Sequence, residues 1–168
     1  MPLKVIISGA SRGLGWALAR HYASKGEGCN AGFDRQTDAG NVLKALARDL
    51  AEAVIDPADV RDARAMQAVA EDLMRRHGCP DIVIANAGVS RSRVTQFFED
   101  SKVFEAILAT NVLGIVNLFH PYLAAMRASG HGALVGVASI GGYRGLPTGG
   151  GAYSASKAAA ISYLESLA

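Results

Sequence analysis

The chain has 168 residues, of which 50% are hydrophobic, and its 17 basic and 15 acidic side chains leave a net charge of +2. Such a length and composition provide the core of one domain. Because the charges balance, we expect neither a nucleic-acid partner nor an anionic membrane surface. The two cysteines, Cys29 and Cys79, match no metal-binding or CxxC spacing, so we expect reduced, inert thiols and no metal site.

Residues 1–4 lead directly into an apolar segment and show none of the anatomy of a signal peptide. No uninterrupted apolar run reaches the roughly 20 residues that are needed to cross a bilayer. We therefore expect a cytoplasmic protein without membrane association.

Short apolar runs alternate with helical patterns along the entire chain. The predicted strands are residues 4–8, 29–33, 53–55, 81–85 and 133–138. The predicted helices are residues 14–25, 39–50, 63–77 and 101–126, and a further helix begins near Tyr153. This order predicts an α/β fold, in which a doubly wound parallel sheet has helices on both faces. We expect residues 1–168 to form one Rossmann-type domain.

The predicted helix 101–126 is unusual because its apolar residues occupy more than one stripe. Phe104, Ile107, Val112 and Phe119 are among them. A helix that is apolar nearly all round is buried on two sides, by its own sheet and by something else. A second copy of the chain is the simplest cover, so we expect a homodimer or homotetramer.

A glycine-rich turn follows the first predicted strand and opens a helix. Its candidate cofactor-binding residues are Gly9, Ser11, Arg12, Gly13, Leu14 and Gly15. Glycines allow a tight turn and let the backbone approach a pyrophosphate, which the positive end of the following helix attracts. The spacing is GxxxGxG rather than the common GxGxxG. The alternative is a turn that serves chain geometry alone.

Two further segments follow predicted strands, at the sheet edge where open parallel α/β sheets bind ligands. Asp59 and Val60 follow the third strand, and Asn86, Ala87 and Gly88 follow the fourth. The Asp59 carboxylate is suited to accept a hydrogen bond from an adenine amino group, and the Asn86 segment is suited to line the adenosine. Taken singly, each segment is also compatible with an ordinary turn.

The candidate catalytic residues lie later in the chain. Tyr153 and Lys157 are four residues apart in a predicted helix, so they share one helical face. A phenol titrates near about pH 10 in water, and a neighbouring ammonium lowers that pKa. Ser139 ends the fifth predicted strand, where its hydroxyl can hold a substrate carbonyl oxygen. Asn111 is a polar residue within an apolar helix, and is either a structural bridge or part of a proton path.

In order and spacing, these motifs resemble the short-chain dehydrogenase/reductase family along essentially the whole chain. The resemblance implies a Rossmann fold and hydride exchange with the nicotinamide of NAD or NADP. It also implies that Tyr153 is the general acid or base, that Lys157 lowers the phenol pKa and binds the nicotinamide ribose, and that Ser139 positions the substrate oxygen. Asn111 would hold a water that links Lys157 to solvent. The implied substrate is a small alcohol or carbonyl compound.

The end of the second predicted strand bears on the choice of cofactor. Asp34 is placed to accept both ribose hydroxyls of NAD, and its charge would repel a 2′-phosphate. Arg35 and Arg12 are instead suited to neutralise that phosphate of NADP. We expect NAD to be favoured, because a misplaced carboxylate is repulsive whereas a spare arginine is harmless.

Complete members of that family are longer than this chain, which ends at Ala168 inside the helix of Tyr153. The helix lacks a C-cap glycine, and strand 133–137 would be an exposed apolar edge. We therefore expect a fragment of a longer protein, the alternative being a short variant completed by another chain. Tyr143, Leu146 and the loop 89–96 would flank the substrate. An inactive nucleotide-binding protein and a lyase or epimerase with bound NAD are the competing functions.

Overall fold

A computed structural model describes residues 3–25, 29–32, 58–90, 100–146 and 150–167. Within them, four parallel strands form one sheet: β1 (Val5–Ser8), β2 (Cys29–Gly32), β3 (Ile82–Ala85) and β4 (Ala133–Gly136). The predicted strands at these positions are confirmed, and each is one or two residues shorter than expected. The predicted helix 39–50 and strand 53–55 lie outside the described residues.

The strand order in the sheet is β2-β1-β3-β4. Val5 pairs with Cys29 on one side and with Ile82 on the other, and Ile82 pairs with Ala133. The carboxyl ends of the strands therefore lie side by side at one edge of the sheet. In doubly wound sheets, ligands bind at this edge where the strand order reverses, which here is between β1 and its neighbours.

The described residues also form five helices: α1 (Gly13–Ser24), α2 (Ala63–His77), α3 (Asp100–Leu108), α4 (Gly114–Ser129) and α5 (Gly151–Glu165). A π-helical turn at Ala109–Leu113 joins α3 to α4, and a 3-10 turn at Ile140–Gly142 follows β4. Local sequence explains several helix ends. The Asp62 side chain caps α2 by accepting hydrogen bonds from the N–H groups of Arg64 and Ala65. Gly130, at φ +69°, ends α4.

The sheet has an apolar core on each face, as predicted for a doubly wound fold. On one face, Val5 and Ile7 of β1 pack with Ala19 of α1. On the other, Ile6 and Val83 pack with the larger cluster contributed by α2, α4 and α5. Its members include Met66, Leu73, Ile115, Leu118, Phe119, Tyr122 and Ala160. Alternate residues of β1 thus pack in opposite cores, which explains why Val5, Ile6 and Ile7 are all apolar.

Residues Ser101–Ser129 form one helix that is long and apolar enough to cross a membrane by length and composition, with a mean hydropathy of 1.5. This does not conflict with the expectation that no uninterrupted apolar run reaches about 20 residues, because polar residues such as Glu105, Asn111 and Asn117 interrupt the helix. In the fold, α4 packs against β3 and α2. Leu118 and Phe119 are fully buried there. The core helix of a layered α/β fold passes the same compositional test.

Strand β4 is at the end of the sheet in the part of the chain that is described. Val135 is 41% exposed. A groove of about 560 Å³ runs beside the strand and is lined mainly by apolar residues of α4, β4 and α5, such as Leu123, Leu134 and Leu164. The expected exposed edge is therefore present.

Candidate functional site

Among the described residues, five polar side chains are buried, and they define the candidate site. Ser8, Asn111, Ser154, Ser156 and Lys157 are each between 0% and 6% exposed. Ser8 ends β1, Asn111 lies in the π-helical turn, and the other three lie on α5. Buried polar groups are costly unless they are hydrogen-bonded. Ser154 accepts a 3.2 Å hydrogen bond from the Leu146 N–H, and the contacts described next account for the other four.

Ser8 joins the end of β1 to the end of β3. Its hydroxyl accepts hydrogen bonds from the N–H groups of Asn86 (3.1 Å) and Ala87 (3.0 Å), and it lies 3.4 Å from the Ile84 carbonyl oxygen, to which it donates. The Asn86 amide nitrogen donates in turn to the carbonyl oxygens of Ser8 and Gly9, at 3.0 Å each. The glycine-rich turn and the Asn86 segment are therefore one connected unit.

The glycine-rich turn requires glycine at particular positions. Gly9 and Gly13 have φ values of +67° and +58°, a region that favours glycine. A Cβ on Gly9 would lie 2.8 Å from the Ala87 Cα, and a Cβ on Gly15 would overlap the Gly9 carbonyl oxygen. The turn therefore leaves no room for a side chain at Gly9 or Gly15.

The amino terminus of α1 is suited to an anion. Arg12 occupies the N-cap position, and its side chain makes no capping hydrogen bond. The first N–H groups of a helix have no partner within the helix, so they attract a phosphate. The side chains of Arg12 and Leu14 are exposed, Leu14 by 55%. With Gly13 open to solvent on its Cβ side, this segment fits a pyrophosphate.

Asp59 is engaged by Arg61. The Arg61 guanidinium donates to both carboxylate oxygens at 2.6–2.9 Å, and the Arg61 backbone N–H donates to Oδ1 at 3.0 Å. The hydrogen bond that Arg61 donates to Asp59 raises the pKa of Arg61. An adenine amino group at Asp59 would therefore share or displace these contacts.

Val60, next to Asp59, is 5% exposed and is held from α4. Its carbonyl oxygen accepts a 2.9 Å hydrogen bond from the Asn117 amide. A Cβ on Gly114 would lie 2.7 Å from the Val60 side chain. The position of Val60 therefore depends on a glycine at the start of α4, a dependence that sequence reasoning missed.

Tyr153 and Lys157 lie in the first half of α5, which begins at Gly151, two residues earlier than expected. The Lys157 ammonium donates a 2.6 Å hydrogen bond to the Val137 carbonyl oxygen, and its nitrogen lies 5.9 Å from the centre of the Tyr153 ring. Burial lowers the pKa of Lys157. The predicted shared face of the two side chains is present.

Ser139 caps the 3-10 turn that follows β4, because its hydroxyl accepts a 3.1 Å hydrogen bond from the Gly141 N–H. This turn packs closely on α5, since a Cβ on Gly142 would lie 2.8 Å from the Lys157 carbonyl carbon. Close packing of the turn brings the segment of Ser139 to the helix of Tyr153.

Asn111 is fully buried, and its amide is held by its neighbours. Its oxygen accepts from the Val89 N–H at 2.8 Å. Its nitrogen donates to the Val89 carbonyl oxygen at 2.9 Å and to the Ser156 hydroxyl at 3.0 Å. The side chain is thus a structural bridge, which was one of the two predicted roles. A Cβ on Gly88 would lie 3.4 Å from its oxygen and 3.9 Å from the Lys157 ammonium nitrogen.

The described structure thus brings most of the predicted residues to one edge of the sheet, whereas Asp34, Arg35 and part of the loop 89–96 lie outside the described residues. Sequence reasoning missed Ser8, Asn117 and Ser156 as contributors. The signal for Ser8 was its place as the last residue of a fully buried strand. For Ser156, the signal was a serine directly before Lys157.

Comparison with known proteins places this arrangement in a family. The family model for short-chain dehydrogenases matches residues 3–168. The chain is 30% identical over 167 residues to the 3-oxoacyl-(acyl-carrier-protein) reductase FabG of Escherichia coli strain K12, covering 97% of this chain and 65% of that protein.

Solved structures agree. A short-chain dehydrogenase from Streptomyces avermitilis superposes with a TM-score of 0.87 at 31% identity, over 99% of this chain and 59% of that one. An actinorhodin polyketide ketoreductase with NADPH gives a TM-score of 0.89 at 27% identity, over 99% and 64%. The chain spans less than two thirds of the length of each of these relatives. It belongs to the short-chain dehydrogenase/reductase family.

Proposed function

We propose that this chain acts as an NAD(P)-dependent oxidoreductase that interconverts a secondary alcohol and a ketone. One observation carries the proposal. A buried Lys157 ammonium lies 5.9 Å from the Tyr153 ring, on the helix that packs against the turn of Ser139. The glycine-rich turn occupies the same edge of the sheet. A proton donor, a substrate anchor and an anion site are thereby combined.

The described residues fit a dinucleotide cofactor. The uncapped amino terminus of α1 and the turn from Gly9 to Gly15 would hold the pyrophosphate. Asp59 and Val60, with the segment 86–88, would line the adenosine. Tyr153 and Lys157 would hold the nicotinamide ribose. When bound, the dinucleotide supplies or accepts the hydride at its nicotinamide ring.

Tyr153 and Ser139 act on the substrate oxygen. In carbonyl reduction, the Tyr153 hydroxyl gives its proton to that oxygen as the oxygen gains negative charge, and the product leaves as the alcohol. In alcohol oxidation, the phenolate takes the same proton back. The Ser139 hydroxyl donates a hydrogen bond to the substrate oxygen and fixes its position.

Lys157 supports Tyr153 electrostatically. Its positive charge favours the phenolate and so makes proton transfer easier near neutral pH. The hydrogen bond to the Val137 carbonyl oxygen uses one of the three ammonium donors. A second can serve the ribose. We also assign to Asn111 the binding of a water that links Lys157 to solvent and returns a proton to it.

The choice between NAD and NADP depends on Asp34, Arg35 and Arg12. We propose NAD, because the Asp34 carboxylate would repel a 2′-phosphate. The NADPH in the related actinorhodin ketoreductase favours the opposite choice. Parallel titration of the purified chain with NADH and NADPH, followed by nicotinamide fluorescence, decides between them. Tighter binding of NADPH would contradict the assignment to Asp34.

Turnover tests the chemistry. With a panel of carbonyl substrates, we expect net oxidation of the reduced cofactor, and Tyr153→Phe should slow it by about 10² or more while cofactor affinity is kept. Tyr163→Phe, on the same helix, is the matched control and should retain turnover. Cofactor binding without turnover would instead favour a nucleotide-binding interaction protein. Product formation without net cofactor oxidation would favour a lyase or epimerase.

A further inference from the structure

Ser156 connects two residues of the proposed site through a single hydroxyl. It lies on α5 between Tyr153 and Lys157 and is 0% exposed. Its oxygen accepts a 3.0 Å hydrogen bond from the Asn111 amide, and its hydroxyl donates a 2.7 Å hydrogen bond to the Tyr153 carbonyl oxygen. The hydroxyl therefore ties the π-helical turn to the first turn of α5.

The Asn111 amide cannot change its orientation without breaking this connection. It pairs with both the N–H and the carbonyl of Val89, and its second amide hydrogen reaches Ser156. The Val89 pairing fixes which end of the amide is oxygen and which is nitrogen. In the absence of the Ser156 hydroxyl, a buried amide hydrogen loses its acceptor, which is more costly than a lost surface contact.

The Asn111–Ser156 contact adjoins the Lys157 ammonium. A Cβ built on Gly88 would make ordinary contacts with both residues, at 3.4 Å from the Asn111 amide oxygen and 3.9 Å from the Lys157 ammonium nitrogen. Lys157 is itself buried and held by Val137. A shift of the first turn of α5 would therefore change how deeply Lys157 is buried.

We propose that Ser156 is a positioning residue, which sets Tyr153 and Lys157 against Asn111 and the segment that follows β3. Alanine is a better helix former than serine. A hydroxyl that bonds the carbonyl three residues earlier gives a helix no stability of its own. The hydrogen bond with Asn111 therefore explains why serine, rather than alanine, lies at position 156. The effect on catalysis rests on the proposed function, whereas the effect on the position of Lys157 does not.

The test follows the titration of Lys157 in the whole chain by NMR, with 13C-labelled lysine and no cofactor. Ser156→Ala should raise the pKa of Lys157 towards that of an exposed lysine, because water gains access. Asn111→Ala should act in the same direction, and the double variant should shift it no further than the larger single change. A global loss of stability leaves the pKa of the folded state unchanged, so this readout separates positioning from stability.

Ser166→Ala is the matched control. Its hydroxyl makes the same bond to the carbonyl three residues earlier, at 2.6 Å to Tyr163, but it is exposed. It should leave the Lys157 titration unchanged. If Ser156→Ala does not fold, Ser156→Cys provides the measurement, since a thiol fills the space but is a weak hydrogen-bonding group. An unchanged Lys157 titration in the folded Ser156 variant would overturn the proposal.

Turnover gives an independent readout. Ser156→Ala should lower kcat about tenfold through misplacement of Tyr153, with KM and cofactor affinity within about twofold. An unchanged kcat would contradict the catalytic part. If the wild-type chain has no turnover, the proposed function fails, and the lysine titration still decides the role of Ser156.

Discussion

The Lys157 ammonium and the Val137 carbonyl oxygen form a 2.6 Å hydrogen bond that joins α5 to the end of β4. The Val137 N–H donates to the carbonyl oxygen of Ala85 at 2.9 Å, so the same peptide segment also meets the end of β3. The charge of Lys157 is thereby fixed at the carboxyl edge of the sheet. Its burial has a measurable consequence for stability.

Lys157→Met should remove a pH dependence from the free energy of unfolding. Burial lowers the pKa of Lys157 in the folded state below the ordinary value of 10.5. Between the lowered pKa of the folded state and the ordinary value of 10.5, the unfolded chain binds more protons than the folded chain, so stability rises with pH there. Urea unfolding at several values from about pH 8 to about pH 10 should show the rise in the wild type and a flatter profile in Lys157→Met.

Tyr163 provides the opposite sign as an internal control. Burial raises the pKa of its phenol above the ordinary value of 10.0. The unfolded chain then loses this proton first, and stability falls as pH increases above about 10. Tyr163→Phe should remove that fall and leave the rise due to Lys157 in place. If the free energy of unfolding rises equally with pH in the wild type and in Lys157→Met, Lys157 is not the source of that rise.

Gly15→Ala should impair both folding and cofactor binding. An added Cβ would overlap the Gly9 carbonyl oxygen and the Asn86 amide, which are fixed by their hydrogen bonds. We expect a loss of about 1–3 kcal/mol in the free energy of unfolding. The affinity for NADH or NADPH should fall at the same time, because the turn opens. Denaturant titration and nicotinamide fluorescence measure the two effects.

Gly145→Ala is the control for that substitution. A Cβ on Gly145 meets no atom within 4 Å. Its effect on unfolding should stay within about 0.5 kcal/mol. If Gly15→Ala is as mild as Gly145→Ala, the close packing of the turn is not a constraint on the chain.

Arg61→Ala should sharpen recognition of adenine. The Arg61 guanidinium contacts both oxygens of Asp59, and its removal takes away this competitor of an exocyclic amino group, while the backbone N–H of residue 61 still donates to Oδ1. The comparison is between NADH and the reduced hypoxanthine analogue, which lacks that amino group. A hydrogen bond to a charged acceptor is worth about 1.5–3 kcal/mol, so the preference for NADH should increase about tenfold or more.

Arg64→Ala is a suitable control for this comparison, because Arg64 is exposed on the first turn of α2 and donates to Asp62 through its backbone N–H, which alanine keeps. It should leave the preference for adenine unchanged. An equal preference in the wild type and Arg61→Ala would mean that Asp59 does not bind the amino group.

The strand and helix order could be predicted because each element has a strong local pattern. Strands β1 and β3 are buried on both faces, and residues 5–7 and 82–85 are correspondingly apolar. Helix α2 begins and ends at the predicted residues, since Asp62 caps its start and Gly78 follows its end. These signals depend on neighbouring residues alone.

The contacts within the site could not be predicted in the same way. Ser156 and Asn111 are 45 residues apart, and Asn86 and Ser8 are 78 apart, so their contacts depend on the completed fold. The π-helical turn around Asn111 has no local sequence signal. Position along the chain indicated which residues reach the sheet edge, but not which side chains bond to each other.

One side of the helix 101–129 carries apolar side chains that are not buried in the subunit. Leu113 is 56% exposed, and Val112 and Val116 beside it are half-buried. Apolar side chains on this side agree with the expected association of two or more copies of the chain. A charge placed at Leu113 would then be buried in the interface and would oppose association.

Sedimentation should find the wild-type chain as a dimer or tetramer at micromolar concentration and Leu113→Glu as a smaller species. The thermal unfolding of an isolated subunit should change little, because the Leu113 side chain is already largely exposed in the subunit. Leu3→Glu, at a position 38% exposed before β1, is the control and should keep the wild-type assembly. A folded wild-type monomer would rule out this interface, and equal association of Leu113→Glu and the wild type would place the contact elsewhere on the surface.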